Sequence, residues 1–78
     1  MHYTQMKFSE QMLQVGEQIK KSRLKKNISQ VQLAQLCNMQ KASISRLEAG
    51  QSNPTLFTMH KIAKALEVPL SQFFQFHD

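Results

Sequence analysis

Apolar residues recur at steps of three and four over most of the chain, the spacing that places side chains on one face of an α-helix. The first stretch with this spacing is formed by the apolar Met12, Val15 and Ile19, and the small polar Ser22 continues it. It predicts a helix over about 10–26, with the hydroxyl of Ser9 capping its first turn. Asn27 should end this helix, because asparagine tolerates the left-handed backbone conformation.

Two shorter helical patterns follow, and only three residues separate them. The segment SQVQ at 29–32 has the spacing of a capping box, in which Ser29 caps the first turn and Gln32 bonds back to it. The predicted elements are a helix over about 30–37, a turn over 38–40 and a helix over about 41–49 that Gly50 closes. Isolated helices below about 12–15 residues are marginal in water, so both must pack against the rest of the chain.

The inner faces of these two helices follow from the same spacing. The residues expected to be buried in varying degree in the first of them are Val31, Leu33, Ala34 and Cys37. Ala34 is small where the helices cross, and Ile44 and Leu47 point the second helix into the core. A tight turn of this length joins helices at about 90–120° in the helix-turn-helix motif.

The C-terminal part of the chain predicts two more helices. The predicted elements are a loop over 51–55, a fourth helix over about 57–66 and a short fifth helix from Pro69 to about Phe74. Asn53 stands before Pro54, which disfavours helix there, whereas a first helical turn accepts proline. Because no strand pattern is present, the sequence predicts an all-α, compact five-helix domain.

The amino-acid composition indicates which kind of partner the protein binds and in which compartment it acts. Lys and Arg number 10 against 5 Asp and Glu in 78 residues, a formal net charge of +5 that favours a polyanionic partner. The single cysteine, Cys37, excludes an internal disulfide and fits a reducing compartment. No apolar run approaches the roughly 18 residues of a membrane span, and the N-terminus lacks a signal-peptide core. We therefore expect a soluble, cytoplasmic protein.

A larger pattern extends over about residues 12–74. Its members are Gly16, Ile19, Arg23, Ser29, Gln30, Leu33, Ala34, Ile44, Ser45, Glu48, Gly50, Pro54, Ile62, Ala63 and Leu66. Together they resemble the Cro/repressor (XRE-type) helix-turn-helix family, although Asn38 stands where that family often has glycine. The resemblance implies a lambda-repressor-like fold that binds operator DNA, usually as a homodimer. Residues 1–11 would then be an N-terminal extension and 75–78 a C-terminal tail.

A helix that enters the major groove needs an outer face without bulky apolar residues. Lysine and arginine can donate to guanine acceptors, and alanine can contact a thymine methyl group. The candidate DNA contacts on and beside the third helix are Gln40, Lys41, Ala42, Ser43, Ser45 and Arg46. The resemblance adds Gln30 as a phosphate contact, with a plain surface residue as the alternative. The candidates for phosphate contact, capping or plain solvent exposure are Ser43, Ser45, Ser52 and Asn53. The alternative for the whole face is an ordinary solvated helix surface.

Glu48 lies at the C-terminal end of the predicted third helix, where the helix dipole disfavours a negative charge. A partly buried carboxylate there should have a cationic partner. The resemblance implies that this partner is Arg23, and we expect the ion pair to be structural.

Three aromatic residues lie close together at the C-terminus, namely Phe73, Phe74 and Phe76. One or two of them can close the core, and three suggest a buried contact with a second copy of the chain. The alternative is that all three pack within one chain.

No nucleophile–base pair or carboxylate pair has a recognisable setting, and the three histidines lack metal spacing, so we expect neither catalysis nor a cofactor. The sequence predicts a homodimeric transcription regulator that recognises a palindromic operator in double-stranded DNA. The alternative is a DNA-binding antitoxin that neutralises a partner toxin, such as a kinase-type toxin, and autoregulates its operon.

Overall fold

Helices account for most of residues 6–76, the part of the chain that the computed structural model describes. They are α1 (Phe8–Lys25), α2 (Gln30–Cys37), α3 (Lys41–Glu48), α4 (Leu56–Leu66) and a C-terminal 3-10 helix (Leu70–Phe74). No strand occurs within these described residues. The predicted all-α class is confirmed, and the fifth helix takes the tighter 3-10 form.

The first helix begins earlier than its apolar pattern predicts. Lys7 precedes α1 with an extended backbone and makes no side-chain cap. Ser9 already has a helical backbone within the first turn, so its predicted role as the N-cap is wrong. Asn27 adopts the predicted left-handed conformation, with φ of 58°. Residues 1–5 of the predicted extension and residues 77–78 of the predicted tail lie outside the described residues.

The capping box of α2 is present as predicted. Ser29 Oγ accepts a hydrogen bond from the backbone N–H of Gln32 at 3.0 Å, and Gln32 Oε1 accepts one from the N–H of Ser29 at 2.7 Å. Asn38 follows the helix in the left-handed conformation and turns the chain toward α3. Val31 is 48% exposed. Its predicted burial is wrong because α2 turns the stripe of Leu33, Ala34 and Cys37 toward the core.

The last two helices begin close to their predicted starts. Thr55 Oγ1 accepts a hydrogen bond from the backbone N–H of Thr58 at 3.1 Å, which lets α4 begin at Leu56 rather than at residue 57. Pro69 has an extended backbone and precedes the 3-10 helix instead of opening it.

The core is one cluster to which every helix contributes. Its most deeply buried large side chains are Ile19, Leu33, Ile44, Ile62, Leu66 and Phe73. Burying one such side chain is worth about 1.5–3 kcal/mol, which stabilises two helices that are too short to persist alone. Phe73 is 0% exposed within a single chain. Its predicted place in a dimer interface is therefore wrong, because a second copy cannot reach it.

A buried ion pair joins α1 to the end of α3. Arg23 Nε donates to Glu48 Oε2 at 2.6 Å and Arg23 Nη2 donates to Glu48 Oε1 at 3.0 Å. Only 8% of the arginine side chain and 4% of the glutamate side chain are exposed. Arg23 Nη1 also donates to the carbonyl of Ile28 at 2.8 Å. The hydrogen bond to Glu48 raises the pKa of Arg23 above its ordinary value, although burial acts in the opposite direction.

Gly16 permits the close approach of α1 to α3. A Cβ atom at this position would lie 2.5 Å from the carbonyl oxygen of Leu47 and 2.6 Å from that of Glu48. Both neighbours are backbone atoms, so no side-chain rotation could relieve the contact. The glycine therefore sets how near the two helices can come.

We expect Gly16→Ala to lower the free energy of unfolding by about 1–3 kcal/mol, because the added methyl group forces the helices apart. Urea unfolding followed by circular dichroism measures the change. Glu17→Ala, at an exposed position one residue later, is the control and should stay within about 0.5 kcal/mol of the parent protein. Equal urea midpoints for Gly16→Ala and the parent would contradict the close packing.

Glu48→Ala should lower the free energy of unfolding by about 3–5 kcal/mol, because it leaves the Arg23 guanidinium buried without its partner. Thermal and urea unfolding both report this loss. Lys26→Ala removes one member of the exposed Lys26–Glu67 pair and should cost no more than about 1 kcal/mol. If the two variants lose similar free energies of unfolding, the buried pair stabilises the fold no more than the exposed pair does.

Candidate nucleic-acid interface

One side of α3 is buried and the other faces solvent. Ile44 and Leu47 are buried beneath the helix, whereas Lys41, Ala42 and Arg46 are exposed. This agrees with the outer face that the sequence predicts. Of the other candidates on this helix, Ser43 and Ser45 are half-buried, and Gln40 is exposed at the N-cap position.

The exposed face of α3 is positively charged. Lys41 and Arg46 project into solvent, while Glu48, the acidic residue of α3, is withdrawn into the pair with Arg23. This face therefore carries two cations and no exposed acidic side chain from α3, a distribution that attracts a polyanion.

The loop after α3 folds back against the helix. The backbone N–H of Gln51 donates to the carbonyl of Arg46 at 2.8 Å. A shallow pocket of about 160 Å³ lies between the loop and α3, lined in part by Ser43, Arg46, Ser52 and Asn53. Asn53 is exposed at its edge, as a phosphate contact requires. The Ser52 hydroxyl is buried and has no hydrogen-bond partner among the described residues, so the predicted phosphate contact by Ser52 is wrong for this conformation.

Gln30 begins α2 and contacts α3 through its side chain. Gln30 Nε2 donates to Glu48 Oε1 at 3.1 Å, on the same carboxylate that holds Arg23. From the sequence, Gln30 and the Arg23–Glu48 pair are predicted as separate features. Their connection depends on how the helices cross, and no local pattern in the sequence reports it.

The structure has a second exposed surface, which the sequence pattern does not predict. An apolar groove of about 260 Å³ is lined by Phe8, Met12, Val15, Asn53, Pro54, Leu56, Met59 and Phe74. Three of these are large and exposed, at 58% for Phe8, 66% for Leu56 and 42% for Phe74. Phe76 is half-buried and packs edge-on against Phe74, with ring centroids 6.4 Å apart. The available signal was that Phe8 and Leu56 are apolar but lie outside the predicted helices.

The cysteine and the possible metal ligands do not form a reactive or metal-binding site among the described residues. Cys37 is buried, and burial raises the pKa of its thiol above the ordinary value, while nearby Lys61 opposes this shift. Between residues 6 and 76, no cluster of histidine, cysteine and acidic side chains is arranged to hold a metal ion. His2 and His77 lie outside that range. No helix in the same range is long and apolar enough to cross a membrane.

Comparison with known proteins identifies the architecture. The model of the helix-turn-helix family designated HTH_3 matches residues 19–73. The immunity repressor protein of Bacillus phage phi105 is 35% identical over 57 residues, which cover 73% of this chain and 40% of the repressor. The chain thus spans less than half the length of that relative.

Solved structures share the fold. The restriction-modification controller protein C.AhdI from Aeromonas hydrophila has a TM-score of 0.78 at 28% identity, over 81% of this chain and 96% of the controller. An HTH_3 family transcriptional regulator from Vibrio cholerae has a TM-score of 0.80 at 35% identity, over 87% of this chain and 38% of the regulator. The family model covers more than half of the chain, and the protein belongs to the helix-turn-helix family, as its resemblance to the Cro/repressor (XRE-type) group predicted.

Proposed function

We propose that this protein is a sequence-specific DNA-binding transcription regulator that acts in the cytoplasm as a homodimer on a palindromic operator. The observation that carries the proposal is the face of α3, on which Lys41, Ala42 and Arg46 are exposed above the buried Ile44 and Leu47. The descriptions of the relatives, an immunity repressor, a controller protein and a transcriptional regulator, support the same function.

In this proposal, residues at the start of α3 contact the bases. The N-terminal residues of a recognition helix reach base edges in the major groove, which favours Gln40, Lys41 and Ala42. Lysine donates to guanine acceptors, and the alanine methyl group fits beside a thymine methyl group. Arg46 lies farther along the same face, where it reaches a base or a phosphate. Ser45 is half-buried and serves at most as a secondary contact.

Phosphate contacts fix the position of α3 along the duplex. Gln30 stands at the N-terminus of α2, where backbone N–H groups and the helix dipole favour an anion. Ser43 and Asn53 border the pocket between α3 and the following loop.

We infer that a second copy of the chain covers the apolar groove. Its lining carries no charged side chain, and large exposed apolar surfaces on small proteins mark protein interfaces. Two residues of the interface expected from sequence stay in this proposal, because Phe74 lines the groove and Phe76 packs against Phe74. Phe8 and Leu56 line the same groove. Asn53 and Pro54 border both this groove and the pocket beside α3, so the second copy would lie next to the proposed DNA-binding face. Dimers of helix-turn-helix domains bind half-sites about 34–36 Å apart.

The alternative function, a DNA-binding antitoxin with a toxin partner, stays a prediction from the sequence. It uses the same DNA contacts and differs in what covers the groove.

The DNA-binding proposal is tested by selecting duplexes from a random pool with the purified protein and titrating the winning sequence at several salt concentrations. Lys41→Ala and Arg46→Ala should each weaken binding at least tenfold, because each loses a charged contact worth about 1.5–3 kcal/mol. If Lys41 or Arg46 neutralises a phosphate, its loss should also reduce the slope of log affinity against log salt by about 0.9.

Lys20→Ala is the matched control, because it removes the same charge from an exposed position on α1 and should change affinity less than threefold. Failure to enrich any duplex, or equal losses for Lys20→Ala and both α3 variants, would defeat the proposal.

The dimer is tested by Leu56→Glu, which places a charge beside the groove. Sedimentation equilibrium should show the parent as a dimer at micromolar concentration and the variant as a monomer, since burying an unpaired carboxylate is costly. Leu24→Glu is the control. It alters a leucine of similar exposure that lies roughly 24 Å from Phe8 along α1. A parent protein that stays monomeric at every concentration would refute the dimer, and recovery of a toxin bound to parent but not Leu56→Glu would favour the antitoxin.

A further inference from the structure

The carboxylate of Glu48 connects the buried core to the surface proposed to contact phosphate. It accepts hydrogen bonds from Nε and Nη2 of Arg23 and from Nε2 of Gln30. The arginine and glutamate side chains are almost fully buried, whereas Gln30 is half-buried at the start of α2. The outermost member of this network is therefore a neutral amide with part of its surface exposed.

The direction of the Gln30–Glu48 hydrogen bond determines which end of the amide faces inward. A glutamine side chain has an NH2 end that donates and an oxygen end that accepts, and rotation of the amide by 180° exchanges them. An ionised carboxylate only accepts, so Glu48 selects the orientation in which Nε2 points toward it. The second N–H of Nε2 is then held in one direction.

A phosphate oxygen, like a carboxylate oxygen, only accepts hydrogen bonds from neutral amides. We infer that Glu48 is a positioning residue for DNA binding, one that holds the second N–H of Gln30 ready to donate to a backbone phosphate. This inference rests on the proposed function. It deepens that function because it assigns Glu48 a part in DNA affinity in addition to its part in stability.

Arg23 neutralises the charge of Glu48, which would otherwise repel the phosphate. A lone carboxylate behind the phosphate contact would repel the DNA backbone, but the guanidinium is bonded to both oxygens of Glu48 and cancels its charge. Arg23 Nη1 is itself fixed by the carbonyl of Ile28, in the segment that leads into α2. The ion pair thus supplies an acceptor for Gln30 without presenting a net negative charge to DNA.

A double-mutant cycle on DNA affinity tests the inference. The probe is the duplex selected by the parent protein, and the variants are Gln30→Ala, Glu48→Gln and the combination of both. Gln30→Ala should weaken binding about tenfold in the parent, because it removes a hydrogen bond to a charged phosphate. In the Glu48→Gln background, where the amide end is no longer selected, the same change should weaken binding less than twofold.

Two further readouts separate positioning from simple loss of structure. Gln30→Ala should leave the slope of log affinity against log salt unchanged, because a neutral amide releases no counterion. Gln35→Ala, an exposed glutamine on the same helix, should change affinity less than twofold in either background. If Glu48→Gln does not fold, Glu48→Asp replaces it, since the shorter side chain keeps the charge and draws the carboxylate away from Gln30.

The results distinguish failure of this inference from failure of the proposed function. A parent protein that selects no duplex overturns both. A parent that selects a duplex, but loses the same affinity on Gln30→Ala in both backgrounds or none in either, overturns the role of Glu48 and leaves DNA binding intact.

Discussion

The buried Arg23–Glu48 pair is the constraint on which the orientation of α3 depends. It bonds α1 to the last residue of an eight-residue helix that could not persist alone. Gly16 lets α1 come close enough for this bond to form. With Ile44 and Leu47 held in the core, α3 has little freedom to rotate about its own axis. The direction in which its outer side chains point is therefore set by residues that do not themselves face outward.

Burying an ion pair costs desolvation energy, which good geometry and further hydrogen bonds must offset. Here the arginine is bonded to both carboxylate oxygens and to the carbonyl of Ile28, and the carboxylate also accepts from Gln30. The same pairing removes the negative charge of Glu48 from the surface. The exposed side of α3 is left with Lys41 and Arg46. One interaction thus contributes to stability, to helix orientation and to the electrostatic potential of the proposed DNA-binding face.

The proposed DNA-binding face and the apolar groove meet at the loop between α3 and α4. Asn53 and Pro54 line both the pocket beside α3 and the groove beside Phe8 and Leu56. The proposed DNA-binding face and the proposed dimer surface therefore share one short segment.

The sequence by itself determined the helices, the capping box and the outer face of α3, because these depend on residues within a few positions of one another. It also placed Lys41 and Arg46 outside and Leu47 inside, through periodicity alone. Tertiary structure alone decided that Phe73 is sealed in the core, that Val31 and Leu56 are exposed, and that Ser52 turns inward. It also decided that Gln30 bonds to Glu48. These outcomes depend on how distant helices cross, and helical periodicity specifies the face of each helix but not the neighbour that covers it.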